Sequence, residues 1–208
     1  IELDRRMMDD QIIKIKAELR EVVRTRTIQR QNRQRNETPS IALVGYTNAG
    51  KSTLFNTLTG AGVLSQDMLF ATLDPTMRGL PLPSGRTVIF ADTVGFISQL
   101  PTELVESFKS TLEEVVEADL LLHVHDASSP MAIEEAKDVH DVMQSLGLNE
   151  EEQYRRVIHV FNKIDQVTDP DQLQMLKQRF PQAVMISALH KTGFDELHTA
   201  IENYFSAD

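Results

Sequence analysis

The chain has 208 residues, of which 41% are hydrophobic and 25% charged, with a formal net charge of −10 and no cysteine. This composition predicts one sizeable globular core and excludes collagen-like, disordered, disulfide-scaffold and thiolate-metal classes. No apolar run approaches the ~20 residues that cross a bilayer, and the first residues show no secretory-signal pattern. We therefore expect a cytoplasmic protein without stable membrane insertion, and peripheral contact with a membrane stays open.

Residues 1–36 are predicted to form a helical arm. Their apolar positions recur at the alternating four- and three-residue steps of a coiled-coil seam, namely Met8, Ile12, Ile15, Leu19 and Val22. Because such a seam needs a partner helix, we interpret the arm as part of a helical hairpin. An isolated docking helix is the alternative.

The arm differs in charge from the rest of the chain. Its ten Lys/Arg and six acidic residues give +4, which leaves −14 for the remaining 172 residues. An acidic body of this kind argues against general binding to DNA. The six arginines between residues 20 and 35 form either a solvated helix face or a local contact for a polyanion.

Residues 37–208 are predicted to form one three-layer α/β domain. Five apolar runs indicate buried strands, at residues 41–44, 87–92, 120–126, 157–162 and 183–187. Helical patterns lie between them at residues 53–58, 104–115 and 133–143. Strands that alternate with helices predict a parallel sheet covered on both faces, with a ligand site at the carboxyl ends of the strands.

Residues 45–52 match the phosphate-binding pattern G-x-x-x-x-G-K-[ST] and lie between a predicted strand and a predicted helix, as a P-loop does. Backbone N–H groups of such a loop surround a phosphate, Lys51 reaches the β and γ phosphates, and Ser52 ligates Mg²⁺. The fold class is therefore a P-loop nucleotide hydrolase. We expect the nucleotide to contact Gly45, Tyr46, Thr47, Asn48, Ala49, Gly50, Lys51, Ser52 and Thr53.

Residues 92–95, Asp-Thr-Val-Gly, close the second predicted strand. We expect Asp92 to hold Mg²⁺ through water and the N–H of Gly95 to contact the γ-phosphate. Thr93 and Val94 lie between them and belong to the same predicted site.

Residues 162–165, Asn-Lys-Ile-Asp, end the fourth predicted strand. The carboxylate of Asp165 can accept hydrogen bonds from N1–H and the exocyclic amine of guanine, a donor pair that adenine lacks. Because a buried carboxylate facing adenine would have no partner, the motif favours GTP over ATP, with Asn162 and Lys163 completing it. Ser187, Ala188 and Leu189 end the last predicted strand, and we expect the backbone N–H of Ala188 to contact guanine O6.

These four motifs, in this order, resemble the GTPase signature of the translation-factor-related P-loop class. Together with residues 3–6, 45–56, 70–76 and 92–97, the chain is similar over nearly its whole length to the HflX family of ribosome-associated GTPases. The resemblance implies a GTP-driven factor that binds the large ribosomal subunit and splits stalled or idle ribosomes. Family members carry an N-terminal domain before the helical hairpin, so the resemblance makes residues 1–36 part of a coiled-coil hairpin to a missing N-terminal domain. We expect a monomer that uses Mg²⁺.

The resemblance also assigns individual roles. It makes Thr72 the switch I threonine that joins Ser52 on Mg²⁺, within a nucleotide-contacting segment of Phe70, Ala71, Thr72, Leu73 and Asp74. Phe96 stands where many regulatory GTPases have the glutamine that orients the attacking water, and a phenyl ring cannot do this. We therefore assign no side chain to that task and expect slow intrinsic hydrolysis that a partner accelerates.

Asn48 has two interpretations. In related GTPases an asparagine at this point helps to hold K⁺ beside the β and γ phosphates, where the ion acts as a built-in arginine finger. Alternatively, Asn48 stabilises the loop backbone.

Two other functions compete with ribosome splitting. The chain could be a nucleotide-gated RNA-binding module that grips RNA through residues 20–35, or a related P-loop GTPase that acts in ribosome assembly or tRNA modification. Residues 70–76 and the arm argue against the related GTPase. The salt dependence of RNA binding by the helix alone would separate the RNA-binding module from ribosome splitting.

His123 and His125 lie two apart in a predicted strand and so face the same side of it. This spacing suggests either a metal site or catalytic base, or a packed or hydrogen-bonded pair. The strand context favours the packed pair.

Overall fold

The computed structural model describes residues 38–60, 76–93, 95 and 109–206. Contacts along the chain divide it into two units, Ile1–Thr38 and Pro39–Asp208. The predicted helical arm of residues 1–36 lies outside the described residues and stays a prediction.

The second unit contains a six-stranded mixed sheet in the described residues. Its strands are β1 (Ser40–Val44), β2 (Thr76–Pro81), β3 (Thr87–Asp92), β4 (Leu120–Asp126), β5 (Val157–Asn162) and β6 (Val184–Met185). Their spatial order is β2-β3-β1-β4-β5-β6. The five predicted strands pair in parallel, whereas β2 runs antiparallel to β3.

Six described helices accompany the sheet: α1 (Lys51–Thr59), α2 (Lys109–Glu117), α3 (Ala132–Ser145), α4 (Glu150–Arg156), α5 (Pro170–Arg179) and α6 (Phe194–Ser206). On one face, α1 and α6 pack on a cluster that includes Phe55 and Ile201. On the other face, α2 and α3 pack on a cluster that includes Val115 and Val139. This arrangement confirms the predicted three-layer α/β architecture.

The strands at the centre of the sheet are apolar because both of their faces are covered. Leu120, Leu121 and Leu122 of β4 are fully buried, and Ile41 of β1 lies opposite Leu120 in the parallel register. The carboxylates or amide that end β3, β4 and β5 stand at the carboxyl end of each strand, where the chain leaves the core.

Four described elements were not predicted. Strand β2 contains Arg78, Gly79 and Pro81, so it has no apolar run, and it forms the edge of the sheet, where proline is tolerated. Helices α4 and α5 are too polar for a strong apolar period, and each begins at a local cap. Asn149 and Glu152 form a capping box, and Asp169 caps a helix with Pro170 in its first turn. Helix α6 buries Leu197, Ile201 and Phe205 at helical spacing.

The last predicted strand is shorter than expected. Only Val184–Met185 form β6, and Ser187 makes an isolated antiparallel bridge with Thr192 instead. This bridge turns the chain back towards α6 and leaves residues 188–191 as a loop at the edge of the sheet. None of the described helices is long and apolar enough to cross a membrane.

Candidate functional site

The carboxyl ends of β1, β3, β4 and β5 bring the predicted motifs to one edge of the sheet. The loop of residues 45–50 follows β1 and ends at the first turn of α1. Asp92 ends β3, Asp126 ends β4, and Asn162 ends β5. The edge is the one at which α/β sheets of this kind bind their ligands.

The P-loop backbone has a shape that its sequence requires. Gly50 has φ 91°, and a Cβ there would lie 2.2 Å from Nδ2 of Asn162. A larger residue would be strained and would displace the asparagine. Asn48 also has a positive φ of 61°, a conformation that asparagine tolerates better than most residues, and its side chain is exposed.

Lys51, the first residue of α1, directly follows the loop and is buried. Its Nζ donates hydrogen bonds to the carbonyl oxygens of Gly45 at 3.1 Å and Tyr46 at 2.9 Å. Burial lowers the pKa of Lys51 to about 8, and the nearby carboxylate of Asp92 opposes this shift. The ammonium group is thus desolvated and held in place, so it interacts strongly with an anion brought against it.

The two predicted Mg²⁺ ligands of the described chain lie side by side. The hydroxyl of Ser52 donates to Oδ2 of Asp92 over 2.6 Å, and Asp92 is fully buried. A hydroxyl and a carboxylate are hard oxygen donors, the type that Mg²⁺ prefers, and they already converge on one point. These residues therefore fit the ion, which Ser52 would ligate directly and Asp92 through water, as predicted from the sequence.

Gly95 lies against this pair. A Cβ on Gly95 would lie 3.0 Å from Nζ of Lys51 and 2.8 Å from Cγ2 of Thr47. The backbone of Gly95 is thus as close to the lysine head group as a glycine allows, which fits its predicted contact with the γ-phosphate. Thr93 supports the same loop, because its hydroxyl donates to the carbonyl of Leu43 in β1.

Asn162 joins the phosphate loop to the predicted base loop. Its Nδ2 donates to the carbonyl of Ala49 at 3.0 Å, and its Oδ1 accepts from the N–H of Ala188 at 2.9 Å. Both ends of the amide are used inside the protein, so the side chain positions two loops. The N–H of Ala188 is therefore already engaged, and its predicted contact with guanine O6 would require that hydrogen to be shared.

Lys163 adds a second link between these loops. It has φ 63°, and its Nζ donates to the carbonyl of Asn48 at 2.6 Å and to Oδ2 of Asp126 at 2.7 Å. The other oxygen of Asp126 accepts from the N–H and the hydroxyl of Ser128. Asp126 was not among the site residues predicted from the sequence. Like Asp92, it ends an apolar strand, and this position is the signal that could have identified it.

Asp165 remains accessible at the mouth of the base loop. Its side chain is 21% exposed, and Nε2 of His190 lies 3.7 Å from its Oδ2. The hydroxyl oxygen of Ser187 accepts from the N–H of His190, and Leu189 is 67% exposed. The edge of the sheet therefore offers the carboxylate of Asp165 and, in the loop after β6, the exposed apolar side chain of Leu189, which are groups suited to a planar base.

Several predicted site residues lie outside the described residues. They are Phe70, Ala71, Thr72, Leu73, Asp74 and Val94, together with Phe96. Their assigned roles stay predictions. The remaining predicted residues, from Gly45 to Thr53 and at the ends of β3, β5 and β6, are described and lie at one edge of the sheet.

A strand, P-loop and helix with a buried lysine, an adjacent hydroxyl–carboxylate pair and an Asn-Lys-x-Asp loop define a P-loop GTPase domain. The model of the 50S ribosome-binding GTPase family matches residues 40–163. The chain belongs to this family.

Relatives with HflX names confirm the resemblance to the HflX GTPases. The chain is 51% identical to GTPase HflX of Caldanaerobacter subterraneus over 97% of this chain and 45% of that protein. It is 56% identical to GTPase HflX of Magnetococcus marinus over 80% of this chain and 38% of that protein. The chain thus spans less than half the length of these relatives.

A solved structure gives the same fold. A GTP-binding protein from Sulfolobus solfataricus in complex with GDP superposes with a TM-score of 0.62 at 27% identity. The match covers 88% of this chain and 58% of that one.

Replacement of Asn162 by Asp tests the link between the two loops. The carboxylate of Asn162→Asp keeps an acceptor for Ala188 but turns an oxygen towards the carbonyl of Ala49, where a donor stood. We expect the free energy of unfolding, measured by urea denaturation, to fall by about 1–3 kcal/mol.

Asn149→Asp is the matched control. The amide of Asn149 serves as a helix cap through its oxygen, which accepts from the N–H of Glu152 at 2.9 Å. Asp caps helices about as well as Asn, so the same chemical change should alter stability by less than about 0.5 kcal/mol there. Equal losses in the two variants would contradict the proposed link.

Proposed function

We propose that this chain binds GTP with Mg²⁺ and hydrolyses it to GDP and phosphate. The observation that carries the proposal is the convergence of the Lys51 ammonium, the Ser52 hydroxyl and the Asp92 carboxylate at the first turn of α1. A helix N-terminus with unpaired N–H groups attracts the same anion that the lysine attracts. The site therefore suits a polyphosphate with its metal ion.

In the proposed reaction the protein acts by positioning and charge stabilisation. The loop N–H groups and Lys51 hold the β and γ phosphates, and the N–H of Gly95 contacts the γ-phosphate. Ser52 and Thr72 would hold Mg²⁺ directly, with Asp92 acting through water. The ion supplies charge neutralisation on the phosphate oxygens.

Guanine is the proposed base because of the carboxylate of Asp165. It is partly exposed at the mouth of the base loop, where it can accept two hydrogen bonds from guanine. Adenine lacks this donor pair, so its binding would remove water from the carboxylate without replacing the lost hydrogen bonds. Lys163, held by Asp126, fixes the backbone from which Asp165 projects.

The proposed partner of the whole protein is the large ribosomal subunit, and the proposed outcome is the splitting of stalled or idle ribosomes. The family description, 50S ribosome-binding GTPase, supports the partner. The HflX relatives support it as well, since the sequence resemblance implies this role. We propose a cytoplasmic location for the protein.

The first experiment measures steady-state GTP turnover by the chain and by full-length GTPase HflX of Caldanaerobacter subterraneus, with and without large ribosomal subunits. We expect slow turnover alone and strong stimulation of the full-length relative, with a smaller effect on the chain. Lys51→Ala should abolish turnover because the phosphates lose their buried cation.

Lys177→Ala is the control for this experiment, since Lys177 lies exposed in the last turn of α5. It should turn over GTP at the unchanged rate. If the chain hydrolyses GTP and the subunit does not stimulate it, the result would favour a role in ribosome assembly or tRNA modification over ribosome splitting. Full activity in Lys51→Ala would refute the phosphate assignment itself.

A second prediction concerns base selectivity. In Asp165→Asn, one carboxylate oxygen becomes an amide donor, which pairs with the extra carbonyl of xanthine instead of the amine of guanine. We expect preference to shift from guanine to xanthine nucleotides by at least tenfold in a competition binding assay. Asp171→Asn, on an exposed residue of α5, should keep the guanine preference.

A third prediction concerns K⁺ and Asn48. If the exposed amide of Asn48 helps to hold K⁺ beside the phosphates, turnover is faster in K⁺ than in Na⁺ at equal ionic strength. Asn48→Gly separates the two interpretations, because glycine adopts φ 61° readily but has no side-chain oxygen. The variant should bind GDP normally and lose the K⁺ advantage. Equal wild-type rates in the two ions would remove the ion from the mechanism.

A further inference from the structure

Three histidines meet on one face of the sheet, where β4 and β5 pair. His123 and His125 lie on β4, and His159 lies directly opposite His123 on β5. Side chains two apart on a strand share a face, and residues in register on neighbouring strands are adjacent. Three imidazoles are thus placed together by the strand pairing alone.

The ring nitrogens of these histidines lie close enough to share one ion. One donor nitrogen from each ring can be chosen so that all three atoms lie within 4.8 Å of one another. Nε2 of His125 and Nδ1 of His159 are already 2.9 Å apart. Three nitrogens around one tetrahedral metal ion are separated by about 3.4 Å, so small side-chain rotations suffice.

His123 has an unusual environment that supports the same conclusion. It is 1% exposed, and both of its ring nitrogens are buried without a hydrogen-bond partner. A buried polar group without a partner destabilises a fold by about 1–3 kcal/mol, and almost all such groups have one. A metal ion bound at one nitrogen would satisfy this group.

We propose that His123, His125 and His159 form a binding site for one divalent transition-metal ion of the kind that prefers imidazole, such as Zn²⁺, Ni²⁺ or Cu²⁺. Neutral nitrogen ligands select these ions over Mg²⁺, which prefers oxygen. Burial keeps the pKa of His123 and His125 well below the ordinary value and that of His159 at about 4. The imidazoles are therefore neutral at pH 7, the form that coordinates metal.

A cavity provides the entry path and the remaining coordination positions. It has a volume of about 720 Å³, and its lining includes His123, His140 and His159. An ion could reach the cluster through this opening and keep water as its other ligand. The rings of Phe161 and Phe180 also pack against the cluster, with centroids 4.5 Å from His125 and 4.9 Å from His159, and Phe180 lines the same cavity.

The site would join β4 and β5, the two strands that end at Asp126 and Asn162. Asp126 follows His125 directly on β4, and Asn162 lies three residues after His159 on β5, opposite Asp126 in the register. A metal ion held across β4 and β5 would thus connect the strands from which the Asp126–Lys163 pair projects.

The test is a titration of the metal-free chain with Zn²⁺ in excess Mg²⁺, with a chromophoric chelator as competitor. We expect one Zn²⁺ to bind per chain and to raise the melting temperature. Substitution of Co²⁺ should give the visible absorption of a four- or five-coordinate ion with nitrogen ligands. His123→Leu and His159→Leu should each weaken binding at least tenfold and lose the metal-dependent rise in melting temperature.

Two controls keep the result interpretable. His123→Leu removes the buried nitrogens, so its metal-free form should be at least as stable as the wild type and still folded. His198→Leu changes a histidine on α6, on the opposite face of the sheet, and should keep full Zn²⁺ affinity. Wild-type binding no tighter than that of His123→Leu, or loss of binding in His198→Leu, would show that the cluster is only packed and would overturn the proposal.

Discussion

The two hydrogen bonds of the Asn162 amide hold the site together. Its Nδ2 donates to the P-loop at Ala49 and its Oδ1 accepts from the base loop at Ala188, so the loops that would hold the phosphate and the base are fixed relative to each other. The amide is 2% exposed, which makes each of these bonds costly to lose. The close approach of Gly50 to Nδ2 follows from the same contact.

The charge distribution of the domain has a local exception at this site. Residues 37–208 carry a net charge of −14, yet the phosphate loop contains a buried ammonium on Lys51 and the N-terminus of α1. Burial lowers the pKa of Lys51 to about 8, so a bound polyphosphate would favour its charged form and recover part of the desolvation cost. Local geometry therefore outweighs the repulsion between an acidic domain and an anionic ligand, since distant charges are screened.

The sequence predicted the parts of the fold that follow from apolar runs and loop motifs. Strands β1, β3, β4 and β5 and the P-loop are in their predicted places because each motif has a fixed relation to a buried strand. Strand β2 was not predicted because an edge strand needs no apolar run. Helices α4 and α5 were not predicted because capping residues, and not an apolar period, define their positions. The internal role of Asn162 and the partnership of Asp126 with Lys163 required distances that no spacing in the sequence contains.

The histidine cluster also depends on contacts that the spacing of residues in the sequence does not reveal. The spacing of His123 and His125 predicts only that they share a face, and a packed pair was the favoured interpretation. His159 lies 34 residues beyond His125 and reaches the cluster through the parallel register of β4 and β5. A pair of histidines on one strand has an ordinary explanation, whereas three in contact, one of them with both nitrogens buried and unpartnered, need a further partner. Strand pairing is therefore what changes the chemical interpretation of these residues.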